Sequence, residues 1–184
     1  MADEWELFYH AGVNGRSAYI RLIFEELGIP YKDMVKSRED IVNYFYKGQL
    51  GGYPVMFPPV IRKGRLAFHG KHPQASYFTQ EEETKPYIER FAAERIPKFL
   101  NYFESVLKCN NGGKGFLFGE KLTYVDLALF WVLKATEASY PEAWKSADYV
   151  PLLKSFRDRI EKRPNISAYL NSDRFRPLEN NSMM

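Results

Sequence analysis

Between Trp5 and Gly28 the chain reads WELFYHAGVNGRSAYIRLIFEELG, a strand pattern that stops at a polar, glycine-bearing turn and restarts as a helix. Trp5, Leu7 and Tyr9 alternate with Glu6, Phe8 and His10, the period of a β-strand, whereas Tyr19, Ile20, Ile23, Phe24 and Leu27 follow the spacing of a buried helical stripe. Gly28 supplies the left-handed stop. Asn14 is the predicted cap of the helix, and Ala11 to Gly15 is flexible enough to expose the first backbone N–H groups. Such a turn delivers the Tyr9 hydroxyl beside the positive end of a helix, a place that favours a small anionic ligand or a thiolate.

The next segment, Ile29 to Val35, is predicted as a second strand parallel to the first, giving a βαβ unit. Lys36 to Gln49 reads as a short helix running into a glycine turn at Gly51-Gly52. Phe57 to Ile61 and Arg65 to Phe68, apolar on either side of Arg62-Lys63-Gly64, read as a β-hairpin. The paired prolines Pro58 and Pro59 cannot sit inside a central ladder, so they mark the entrance to a strand, with a cis bond at one of them.

Beyond the breaker-rich joint His69-Gly70-Lys71-His72-Pro73 the pattern is helical. An apolar stripe runs from Ile88 to Leu107 with a kink expected at Pro97, and Asn110 to Gly115 closes it as a loop. Leu122 to Leu127 carries a helix start, with Thr123 as N-cap, Asp126 reaching back, and Leu122 stapled to Leu127. Leu127 to Leu133 is almost wholly apolar and should form the buried centre of this half. Pro151 and Pro164 each open a further helix. Pro177 to Met184 reads as a frayed tail.

Composition sets the outer limits. With 184 residues, 45% of them hydrophobic, the chain has material for one compact unit or two small ones. The net charge of +3 is interspersed with acidic residues, as in Arg157-Asp158-Arg159, which reads as solvated helix faces and against nucleic acid as a partner. Cys109 is the single cysteine. Intramolecular disulfides, cysteine-rich zinc sites and dithiol redox chemistry are thereby excluded, no metal site is expected, and a reducing, cytoplasmic setting is. Neither a signal peptide nor a membrane span is expected.

In this order, Tyr9-His10 through Gly15-Arg16, the proline-bearing hairpin at Phe57 to Ile61, Arg95 to Leu100, the Thr123-Tyr124-Val125-Asp126 helix start, and Asp158 to Leu170 resemble the tyrosine-type cytosolic glutathione transferases. The resemblance implies an α/β thioredoxin-like domain over 1–70 and an all-α domain over 71–184. It further implies glutathione as co-substrate with no other cofactor, a small hydrophobic electrophile as second substrate, and a homodimer. Tyr9 takes the catalytic role, and His10 is the competing alignment because the turn is one residue longer than the common pattern. The family binds the cysteinyl part of glutathione through the backbone of the residue before a cis-proline. That residue must own an N–H, which favours Phe57 ahead of a cis Pro58, with Pro58-Pro59 as the alternative. Arg16 is placed either for a glutathione carboxylate or for a surface salt bridge, and Lys47 and Gln49 for the glycyl end.

One departure stands out. The family follows its hairpin with Glu or Gln and then Ser or Thr at the start of a third helix, to hold the γ-glutamyl end. Here the hairpin runs into Phe68-His69-Gly70-Lys71-His72. An internal deletion of the third helix and linker is expected, leaving two functions open: a working transferase, or a transferase-like fold kept for structural or protein contacts.

Overall fold

The computed structural model describes residues 4–46, 58–63, 66–69, 89–176 and 178. The predicted roles of Lys47, Gln49, Gly51-Gly52, Phe57, Gly64, Ile88, the joint at 70–73 and nearly all of the tail lie outside the described residues. The chain divides into two compact units, Met1–Gln74 with Asn171–Pro177 and Asn181–Met184, and Ala75–Leu170 with Leu178–Asn180.

In the first unit, strands β1 (Trp5–Phe8), β2 (Tyr31–Asp33), β3 (Val60–Lys63) and β4 (Leu66–His69) form one sheet in the order β2-β1-β3-β4. β1 is parallel to β2 and antiparallel to β3, and β3 and β4 form a hairpin as expected, except that Arg62 and Lys63, expected in its turn, continue β3 and pair with Ala67 and Leu66. Helix α1 (Ser17–Glu26) makes the crossover between β1 and β2. The βαβ prediction holds, with β2 shorter than the 29–35 expected.

β1 is central, so it buries both faces: Leu7 and Phe8 are each fully buried. On the face of Trp5 and Leu7 the sheet meets α1, with the Trp5 and Phe24 rings 5.6 Å apart. On the other face Phe8 clusters with Val35, Ile41 and Val60, and Tyr44 lies edge-on at 4.9 Å. Glu6 and Arg62 stand opposite each other in the β1–β3 register and pair at 2.5 Å, a cross-strand ion pair that fixes which residues face each other.

Helix α1 stops where the glycine requires it. Gly28 adopts φ 62°, the Ile29 N–H reaches back to the Phe24 carbonyl at 2.8 Å, and the Gly28 N–H to Glu25 at 3.1 Å. After β2 a short helix, α2 (Arg38–Ile41), is closed by a reciprocal box between Ser37 and Asp40 and runs into a π turn, Val42–Tyr46.

The second unit is helical. A π turn, Phe91–Arg95, precedes α3 (Ile96–Cys109), with Pro97 in the first turn. Where a kink was expected, the winding changes from π to α just ahead of Pro97, which has no N–H to offer the carbonyl one turn back. A 3₁₀ turn, Asn111–Gly113, leads on to α4 (Tyr124–Ser139), α5 (Pro141–Lys145), α6 (Pro151–Glu161) and α7 (Pro164–Leu170). The proline at each of the last three starts sits where a missing N–H costs nothing.

The Thr123–Asp126 box forms as expected. Asp126, fully buried, accepts the Thr123 N–H at 2.7 Å and its hydroxyl at 2.8 Å on one oxygen, and the Leu117 N–H at 2.8 Å on the other. The carboxylate therefore starts α4 and pins the preceding loop. Leu127, Leu129, Phe130, Trp131, Leu133 and Ala135 are buried along α4, making it the centre of this unit. Leu153, Phe156 and Ile160 of α6 pack into the same core. Glu104 of α3 caps α6 by accepting the N–H groups of Leu152 and Leu153 at 3.0 and 2.8 Å.

Candidate active site at the first strand-to-helix turn

The turn after β1 leads into α1 through Gly12 at φ 74° and Gly15 at φ 38°, a left-handed geometry that L side chains resist. Asn14 does not cap the helix with its side chain, contrary to expectation. Its carbonyl accepts the Ser17 hydroxyl at 2.6 Å and the Ala18 N–H at 3.2 Å. Its side chain, 3% exposed, instead donates to the carbonyl of Arg176, a residue of the same unit 162 positions away. That bond uses the amide nitrogen, and the Oδ1 that would have capped the helix is buried without a partner among the described residues.

Tyr9 lies one residue past β1 and is 5% exposed. Its phenolic oxygen accepts the backbone N–H of Arg16 at 3.2 Å, immediately ahead of α1. One consequence is chemical: with the oxygen already accepting, the hydroxyl proton is left to donate. The group also sits at the positive end of the α1 macrodipole, where an anion accepting that proton is favoured.

Arg16 uses its side chain as well. Its guanidinium donates to the Pro58 carbonyl at 3.0 Å, tying the helix start to the segment entering β3. The cis bond is Pro58–Pro59, correcting the preference for Phe57–Pro58. The requirement for an N–H, used to favour Phe57, did not decide the bond: Pro58 has none, and its carbonyl is engaged by Arg16.

His10 stands edge-on to Tyr9, with ring centroids 5.3 Å apart. Burial, and secondarily the Arg16 charge, hold its pKa below the usual histidine value. The structure thus brings Tyr9, His10, Arg16, Pro58 and Pro59 to one end of the sheet.

Sequence reasoning missed two elements of this region. Arg21, 5% exposed, donates to Asp33 at 2.9 Å and to the Ser17 hydroxyl at 2.5 Å, a pair at i, i+4 on α1 that helical spacing could have revealed. Arg174 and Arg176 return to this unit from the far end of the chain, Arg174 forming a two-pronged pair with Glu25. No local pattern announces that return.

Among the described residues no cluster of three or more His, Cys, Asp or Glu side chains is arranged to hold a metal, and no helix is long and apolar enough to cross a membrane.

A four-stranded mixed sheet with a βαβ start and a hairpin finish, followed by an all-helical unit built on a capped buried helix, is the fold of a thioredoxin-like domain joined to a transferase helical domain. Residues 68–173 match the family model described as glutathione S-transferase, C-terminal domain. The chain belongs to the glutathione S-transferase family. It is 28% identical to the glutathione S-transferase of Plasmodium falciparum (isolate 3D7) over 218 residues, covering 94% of this chain and 97% of the relative. It is 33% identical to glutathione S-transferase 2 of Onchocerca volvulus over 107 residues, 58% of this chain and 48% of the relative. Among solved structures, the pi-class glutathione S-transferase of Onchocerca volvulus superposes with a TM-score of 0.72 at 18% identity, covering 98% of this chain and all of the other.

Proposed function

We propose that the protein conjugates reduced glutathione to small electrophiles, with Tyr9 stabilising the thiolate. A free thiol titrates near pKa ~8.5, so little is ionised at neutral pH. Lowering that value by about two units takes roughly 2.7 kcal/mol of preference for the anion. The observation that carries the reading is the Arg16 N–H to Tyr9 oxygen bond, which leaves the hydroxyl proton to donate at the mouth of a helix. In the reaction the sulfur bonds to the electrophilic carbon, the leaving group departs with its electron pair, and the thiol proton passes to solvent.

A second reading, a transferase-like protein with impaired catalysis that serves structural or protein contacts, is favoured by the sequence after β4. Phe68-His69-Gly70-Lys71-His72 offers neither a Glu or Gln followed by Ser or Thr, and the alignment with the Plasmodium falciparum relative runs over 218 positions against 184 residues here. Both features suit an internal deletion that shortens the γ-glutamyl grip. A homodimer in the cytoplasm belongs to the proposal on family grounds.

Calorimetry with glutathione on the purified protein, together with a conjugation assay, separates the two. Saturable binding with turnover supports the transferase. A folded protein that neither binds nor turns over leaves the second reading.

A further inference from the structure

A pocket of about 140 Å³ opens beside Tyr9 within the first unit, walled by the turn from His10 to Val13, by Arg21, by Asp33, Val35 and Lys36 after β2, and by Arg174 and Arg176. That is roughly the volume that holds a benzene ring. Four cations line it against one carboxylate. Arg21 is neutralised by Asp33 and Arg174 by Glu25, which leaves Lys36 and Arg176, both exposed and neither in an ion pair among the described residues, as the wall's excess positive charge, with Asp40 near enough to Lys36 to offset part of it. The wall also holds an N–H donor, Arg21 Nε, that is buried with no acceptor among the described residues. A wider cleft of about 520 Å³ adjoins it, sharing Asp33, Lys36 and Arg174. Apolar lining is confined mainly to Val13 and Val35, an unfavourable lining for a purely hydrophobic guest.

We propose that this basic pocket receives the second substrate and selects electrophiles that carry a carboxylate or similar compact anion, held by Lys36 and Arg176. The proposal rests on the transferase reading, since reaction requires the electrophilic carbon within about 3–3.5 Å of a sulfur activated at Tyr9. A pocket bordered by Tyr9 gives an aryl electrophile that reach while its anionic group points at the cations.

The test compares 4-chloro-3,5-dinitrobenzoate with its neutral carboxamide, which have the same ring and leaving group. In each case the C–S bond forms as the C–Cl bond breaks and chloride leaves. The ratio of their kcat/KM values should exceed about tenfold in favour of the carboxylate, fall about threefold in each of Lys36→Gln and Arg176→Gln, and fall with added salt. Arg176→Lys should keep most of the ratio. A ratio near one, or one untouched by the variants, overturns the proposal while turnover of the carboxamide leaves the transferase reading standing. Variants that raise the glutathione KM and leave the ratio alone assign the cations to the glutathione carboxylates and also overturn it. Absence of turnover with both probes overturns the proposal together with the reading beneath it.

Discussion

The backbone N–H of Arg16 donates to the phenolic oxygen of Tyr9 at 3.2 Å, and the side chain of the same arginine donates to the Pro58 carbonyl at 3.0 Å. One residue thus connects the hydroxyl, the helix start and the segment entering β3.

Removing the hydroxyl should cost chemistry more than stability. Tyr9→Phe keeps the buried ring and loses one modest hydrogen bond, so unfolding free energy should change by only about 1 kcal/mol. Conjugation, assayed as kcat/KM at neutral pH, should fall about 10- to 100-fold, as expected when the thiol regains up to two pKa units. The pKa of bound glutathione, followed by thiolate absorbance against pH, should rise in parallel; an unmoved thiol pKa would remove Tyr9 from the role.

His10 makes the first unit sensitive to mild acid. Its folded-state pKa lies below the ordinary 6.5, so the unfolded chain takes up the proton first as pH falls. The stability linked to neutral His10 is present above about pH 6.5 and is lost progressively as pH drops from there through the folded value. In His10→Gln that part of the slope should vanish, which urea midpoints measured between about pH 7.5 and pH 5.5 for both proteins would reveal.

Removing the Asp126 carboxylate should cost the helical unit three bonds at once. Asp126→Ala leaves the Leu117 and Thr123 N–H groups buried or half-buried without their acceptor, a loss of about 3 kcal/mol. Thr123→Ala should lose only about 1 kcal/mol, because the backbone N–H to carboxylate bond survives. Equal losses in denaturant titrations would contradict this division of labour.

Glu104→Ala should lower stability by about 1–2 kcal/mol by uncapping α6, although Glu104 is 48 residues from the helix it caps. Glu104→Gln, which retains an acceptor oxygen, should recover part of that loss in the same titration.

The features legible in the sequence are those whose partners lie within a few residues. Thr123 and Asp126 are three apart, Pro151 and Pro164 act on their own turns, and the hairpin joins neighbouring segments, so pattern sufficed. Gly28 likewise announced the end of α1. What escaped was set by distant chain. The Asn14 side chain was oriented by its amide bond to the Arg176 carbonyl and its oxygen capped nothing, Glu104 capped a helix that carries no capping side chain of its own, and the cis bond fell at Pro58–Pro59 despite an N–H argument built on ligand recognition. Of the candidate site, Tyr9 and Arg16 were visible because a strand end and a helix start define them, whereas the basic wall depends on residues brought back from positions 174 and 176.

The return of Arg174 to Glu25 and of the Arg176 carbonyl to Asn14 gives the first unit an unusual schedule. A chain synthesised from its N-terminus emerges with the sheet and α1 first and the arginines that complete their surroundings last. On the ribosome the basic wall therefore cannot close until the helical unit between positions 89 and 170 has been made, so the pocket beside Tyr9 is completed only after that unit.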